Sequence, residues 1–297
     1  MKSLKELEQK IKDLPSKRIG LIAAEDKDSI KAVFDAYNKQ LVEPILIGNE
    51  KQIKQICEEL NYSLDSITIY NYEKPEEAAN FAVELAKKGE INVFMKGLIS
   101  TKDYLRPILK KENGLVSGIL SHVALFELEH YHKPLMITDA ALNIKPTVKE
   151  KIQIIKNAAD VCYKLGIERP KIAYICAVEK VNPEKMPETE EAAILTQMAK
   201  RHQLGNIDFD GPLALDNAVS RHSVEVKKID TTVGGDADVL VFPEIIAANV
   251  AYKSLAYLAG AAPAATIAGS KIPIVLTSRA DSDLSKFYSI LISIAIS

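Results

Sequence analysis

Short, continuous apolar runs alternate along this chain with longer stretches of helical periodicity, and that alternation limits the fold more than any other feature. Residues 18–24 (RIGLIAA), 44–48 (PILIG), 66–70 and 91–96 have strand length. Between them, residues 28–40, 50–60 and 75–88 carry apolar side chains at helical spacing, the last opened by Pro75. The pattern resumes with strands at 135–138, 171–177, 239–243 and 274–277 and helices at 149–165, 189–201, 249–258 and from 282 to the end. Strands that are apolar throughout, rather than at every second position, are covered on both faces. Short strands alternating with long helices are the mark of βαβ units and a mostly parallel sheet.

Composition narrows the function classes. The chain has 297 residues, 47% hydrophobic and 26% charged, as expected of a folded globular protein of one large or two smaller domains. Its 38 basic and 40 acidic residues leave a net charge of −2, which argues against a dedicated nucleic-acid binder. Cys57, Cys162 and Cys176 are odd in number and far apart, so neither a disulfide framework nor a zinc site is expected. A reducing, cytoplasmic setting follows. The N-terminal segment mixes Lys and Glu without an apolar core, unlike a secretory signal. No apolar run reaches the ~18 residues of a membrane span. The five histidines, His130 and His132 included, read as surface or core residues rather than ligands, and no metal site is expected.

Ligands of open α/β sheets bind beyond the carboxyl ends of the strands, so polar residues just after strands deserve the search. At 96–106 a strand runs into Gly97, then Ser100 and Thr101, either of which can cap the next helix, with Arg106 one to two turns in. Free N–H groups at a helix start and an Arg fork suit an anion. A plain capped helix with an exposed Arg suits the same residues. At 274–283 a strand delivers Ser278, Arg279, Asp281 and Asp283 together. Here a hydroxyl can stabilise developing negative charge, a guanidinium can clamp phosphate and a carboxylate can accept a proton. The alternative is a helix cap and a surface ion pair. Asp139 follows a third strand and also fits an Asx turn. Asn249, after the strand at 239–243, can cap a helix. Neither G-x-G-x-x-G nor a P-loop is present.

Five segments in fixed order carry a family resemblance: 47–50 (IGNE), 97–109 (GLISTKDYLRPIL), 209–218 (FDGPLALDNA), 239–258 and 273–282 (PIVLTSRADS). They resemble the phosphate acetyltransferase and phosphate butyryltransferase family along nearly the whole chain. Residues 136–146 (MITDAALNIKP) and the SRADS form are more similar to the butyryl branch. The resemblance implies direct attack of phosphate on an acyl-CoA in a ternary complex, yielding acyl phosphate and CoA without metal or prosthetic group. It implies two three-layer α/β domains flanking a cleft, as in isocitrate and isopropylmalate dehydrogenases. The expected division is residues 1–127 with 268–297, and 128–267. A homodimer or higher homo-oligomer is implied, with acyl-CoA and phosphate as small-molecule partners and neither nucleic acid nor membrane. Arg106 matches the family's phosphate-binding Arg, and Ser278 and Arg279 its catalytic pair. Acetyl members carry a catalytic Asp where this chain has Ser285, so Asp283 and Asp281 are the nearby carboxylates considered as base and substrate ligand. Gly97, Ser100, Thr101, Asp139 and Asn249 complete the expected substrate contacts. The alternatives are an acetyl-preferring transferase and a non-catalytic CoA-binding regulatory module. A dehydrogenase of the same general fold is disfavoured, because its metal-binding Asp cluster is missing.

Overall fold

The computed structural model describes residues 3–277 and 281–297. The protein is an α/β chain that divides into two compact units, 4–117 with 262–297 and 118–261.

The first unit opens with α1 (Leu4–Lys12), whose Leu4, Leu7 and Ile11 form one buried stripe. It continues through β1 (Lys17–Ile22), α2 (Lys27–Asn38), β2 (Val42–Gly48), α3 (Glu50–Glu59), β3 (Thr68–Asn71), α4 (Pro75–Lys87), β4 (Val93–Lys96) and α5 (Thr101–Leu109). Four consecutive residues of β1, Ile19 to Ile22, are buried, so both faces of the strand are packed. Each helix start has a local cause. Asp26 caps α2, Asn49 caps α3, and Pro75 takes the first turn of α4.

The second unit contains β5 (Val116–Phe126), β6 (Leu135–Thr138), α6 (Val148–Lys164), β7 (Lys171–Ile175) and α7 (Glu188–Lys200). It closes with β8 (Asp208–Leu213), α8 (Leu215–Val219), α9 (Arg221–Lys227), β9 (Val239–Val241) and α10 (Ile245–Lys253), which ends in a π-helical turn at Ser254–Leu258. A full capping box of Thr147 and Glu150 starts α6. The spatial order is β5-β6-β9-β7-β8, parallel except where β5 runs against β6.

The chain then returns to the first unit as β10 (Ala264–Ser270), β11 (Ile274–Val275) and α11 (Asp283–Ala295). The order there is β3-β2-β1-β4-β11-β10, and among the described residues only the β10–β11 pair in this order is antiparallel. The divisions at 117/118 and 261/262 differ from the expected 127 and 267 for a pairing reason. β5 bonds to β6 of the second unit over Ala124–Phe126, and β10 bonds to β11 of the first. Among the described residues, no helix is long and apolar enough to cross a membrane.

Candidate functional site at the strand ends of the first unit

In the first unit, β1 leads outward to β2 and β3 on one side, whereas β4 lies on its other side. The chain therefore reverses direction between β1 and β4, and the crevice beyond their carboxyl ends is where such sheets take ligands. Gly97 closes the floor of that crevice. Its N–H donates to the Ile22 carbonyl at 2.8 Å and the Leu98 N–H donates to the Ala23 carbonyl at 2.7 Å. A Cβ on residue 97 would stand 2.1 Å from the Ala23 carbonyl oxygen, so only glycine fits without backbone movement.

Three residues further on, α5 starts. Ser100 is its N-cap: Oγ accepts from the Asp103 N–H at 3.1 Å and donates to the Asp103 carboxylate at 2.6 Å. Thr101 is the first helical residue and is exposed. First-turn N–H groups have no partner within the helix, so this end carries partial positive charge. Arg106 lies on the same helix with its side chain 59% exposed and Nη1 3.7 Å from Asp103 Oδ1. That loose contact leaves the guanidinium available to a stronger anion. Tyr104 anchors the helix: fully buried, its hydroxyl donates to the Val275 carbonyl of β11 at 3.4 Å. Burial pushes this phenol well above its ordinary range.

The other wall comes from α2 and α11. Asp26, Asp28, Ser29, Lys96, Thr277 and Lys286 line a small polar pocket with Gly97 and Leu98. Ser278 and Arg279 lie outside the described residues. Asp283 begins α11 and forms an ion pair with Lys31, which holds that ammonium above its ordinary value. Asp281 is half-buried just before Ser282, the N-cap of α11. Ser285 is buried, its Oγ 2.8 Å from Ser282 Oγ.

Asp139 and Asn249 belong to the second unit. Asp139 is buried after β6. Its Oδ1 accepts from the Ala141 and Leu142 N–H groups at 2.9 and 3.0 Å, and Oδ2 from the Asn143 N–H at 3.2 Å. This is the Asx-turn arrangement, and the carboxylate is consumed by its own loop. Asn249 is inside α10 rather than capping it, because the helix begins at Ile245; its side chain donates to the Ala140 carbonyl at 3.0 Å. The two residues thus brace one loop. Beside them His122 is buried, and that burial lowers its pKa despite the opposing charge of Asp139.

A second polar cluster was not foreseen. Lys151 of α6, 3% exposed, is paired with Glu191 of α7, whose carboxylate also accepts from the Tyr174 hydroxyl at 2.9 Å. Burial first, then Glu191, pushes the Tyr174 phenol far up, and burial raises Cys176 to about 12. Lys151 and Glu191 line a cavity of about 530 Å³ together with Lys145, Pro187 and Glu244. A lysine and a glutamate 40 positions apart give no local signal of pairing. Lys286 was equally hidden, since one Lys in an apolar helix reads as a snorkelling surface residue.

The crevice, the capped helix and the flanking Arg lie together on an α/β frame, and the comparisons place the chain in a class. It belongs to the phosphate acetyl/butaryl transferase family, which matches residues 3–84 and 73–294. A phosphate acetyltransferase of Thermotoga maritima is 43% identical over 93% of this chain and 94% of its own length. A phosphate butyryltransferase of Clostridium acetobutylicum is 40% identical over 99% and 97%. The crystal structure of a branched-chain phosphotransacylase from Enterococcus faecalis matches with a TM-score of 0.84 at 33% identity, covering 94% of this chain and 98% of that one. The chain is thus an acyltransferase of this family.

Proposed function

We propose that the protein transfers a short acyl group between CoA and phosphate: butyryl-CoA + phosphate ⇌ butyryl phosphate + CoA. The observation that carries this reading is the GLISTKDYLRPIL segment folded as strand end, tight turn and capped helix at the switch point between β1 and β4. Phosphate binds at the start of α5, held by first-turn N–H groups and Arg106. Held there, it is a positioned nucleophile, and the bimolecular attack becomes effectively unimolecular. A phosphate oxygen attacks the thioester carbonyl, the C–S bond breaks, and the sulfur leaves as CoA thiolate. Ser278 donates to the charge that develops, and Arg279 stabilises the phosphoryl group. In the reverse direction a carboxylate takes the CoA thiol proton; Asp283, at the start of α11, is the residue we assign. Asp281 assists in substrate binding, and Asp139 and Asn249 act by bracing the loop after β6. No metal or prosthetic group takes part, and the enzyme works in the cytoplasm.

Acetyl preference is the second reading, favoured by the 43% identity to the Thermotoga acetyltransferase. We also assign a homodimer. The second unit exposes Ile246, Val250, Tyr257 and Leu258, the last at 86%, beside an apolar groove of about 890 Å³. Exposed apolar side chains next to a groove of like chemistry suit a two-fold contact, in which one surface meets its own copy.

The test is phosphate-dependent CoA release from acyl-CoAs of two to five carbons, with kcat/KM compared along the series. Turnover with butyryl-CoA preferred is expected. No turnover with any of them refutes the reading, and an acetyl optimum selects the second one. Arg106→Ala should raise KM for phosphate roughly 10–100-fold, the worth of one charged hydrogen bond.

A further inference from the structure

We propose that Lys286 is a phosphate-binding residue, held in waiting by Asp28 and released to the anionic substrate when it enters the crevice between β1 and β4. The inference rests on the phosphoryl-transfer reading above and adds a residue to its site.

Four observations carry it. Lys286 lines the polar pocket together with Lys96 and Gly97, at the switch point of the first unit. Its side chain is only 3% exposed, and its Nζ donates to Asp28 Oδ2 at 3.1 Å. A buried ammonium is costly and is usually offset by an equally fixed partner. Here the partner is not fixed: the Asp28 side chain is 57% exposed. The pair is asymmetric, a trapped cation facing an anion that can swing into water.

The surrounding dipoles make the placement more adverse. Lys286 sits in the first turns of α11, and its partner lies in the first turn of α2, so two positive helix ends flank the ammonium. A cation needed only to staple two helices is better placed at a helix C-terminus or in solvent. The pocket's carboxylates are Asp26 and Asp28; with Asp28 turned outward, two helix ends, Lys96 and Lys286 outweigh Asp26 and leave the crevice positive. Phosphate, carrying up to two charges, is the ligand such a field selects. On binding, it takes the ammonium hydrogen bond and Asp28 turns outward. The pocket holds no more than a water in the closed pairing, about 20 Å³, so that outward turn also makes the room.

The experiment is steady-state kinetics of Lys286→Met, Lys286→Arg and Asp28→Asn against the wild type, varying phosphate and butyryl-CoA separately, with Tm recorded for each. Lys286→Met should raise KM for phosphate at least tenfold while KM for acyl-CoA stays within twofold, and Lys286→Arg should recover most of the loss. Asp28→Asn breaks the same pair but frees the ammonium, so KM for phosphate should fall or stay level even as Tm drops. If Asp28→Asn raises KM for phosphate as Lys286→Met does, the lysine is only a staple and the proposal is overturned. An unchanged phosphate KM in Lys286→Met overturns it as well. Should Lys286→Met not fold, Asp28→Asn still decides the matter, because a raised phosphate KM in that variant overturns the proposal. A wild-type enzyme without phosphate-dependent CoA release is a different failure, that of the activity itself.

Discussion

Gly97→Ala is the sharpest single perturbation of the strand-end crevice. The added methyl would meet the Ala23 carbonyl oxygen at 2.1 Å, with the Ala23 carbonyl carbon and the Ile22 oxygen both at 2.9 Å. Ordinary contact starts near 3.4 Å, so the two backbones must part by about 1.3 Å. The obstacles are main-chain atoms of β1 and its exit, not flexible side-chain tips, so relaxation is expensive. Overpacking of this kind costs about 1–3 kcal/mol. Parting the backbones also strains the Gly97-to-Ile22 and Leu98-to-Ala23 hydrogen bonds, each worth roughly 1 kcal/mol. A loss of about 2–4 kcal/mol is expected in urea denaturation. Because α5 starts three residues later, its N-terminus moves too, and a misplacement of about 1 Å lowers kcat/KM on the order of 100-fold. Gly89→Ala is the control. Gly89 has φ +74 with nothing within 4 Å of an added Cβ, so it should lose about 1–2 kcal/mol and keep its kinetics. A Gly97→Ala enzyme with wild-type stability and phosphate KM would refute the reasoning.

Three further outcomes follow from the second unit. Glu191→Ala strands the buried Lys151 ammonium and the Tyr174 hydroxyl, and should cost about 3–5 kcal/mol in denaturant unfolding, whereas Lys151→Met should cost clearly less; equal losses would deny the uncompensated charge. Burial, against the pull of Asp139, depresses the His122 pKa below its ordinary 6.5, so the unfolded chain binds more protons there and stability falls as pH drops below that value. Thermal unfolding from pH 7.5 to 5 should show this decline, flattened in His122→Gln; an identical slope in the variant would contradict it. Leu258→Asp should convert the proposed dimer to monomers in sedimentation, and a wild-type chain that sediments as a monomer would refute that assignment.

How much could be read in advance varies by element for physical reasons. The strands β1 and β2 are dense in Ile and Leu and β4 (VFMK) is apolar up to its last residue, so the signal is local. Ser100 was legible as a cap because Asp103 stands three residues on. β5, β8 and β10 went unread. β10 (AATIAGS) and β8 (DFDGPL) are rich in small residues or carry a Gly-Pro, and their strand state comes from their neighbours. α10 starts at Ile245 rather than 249 because Glu244 can act as its boundary without any side-chain cap. At the site, Gly97, Ser100 and Arg106 share one short segment. Lys286 and Asp28 are 258 residues apart and meet only when α11 packs on α2. Asp139 shows the converse: a strand-end carboxylate that the chain uses for its own turn.

The central claim is that phosphate binds where α5 begins. Arsenate, a phosphate analogue with a strong anomalous signal, can be soaked into crystals of the protein. The account predicts an anomalous peak within hydrogen-bond distance of the Thr101 and Lys102 N–H groups, with Arg106 turned away from Asp103 toward it. A peak elsewhere in the molecule, with the start of α5 empty, would contradict it.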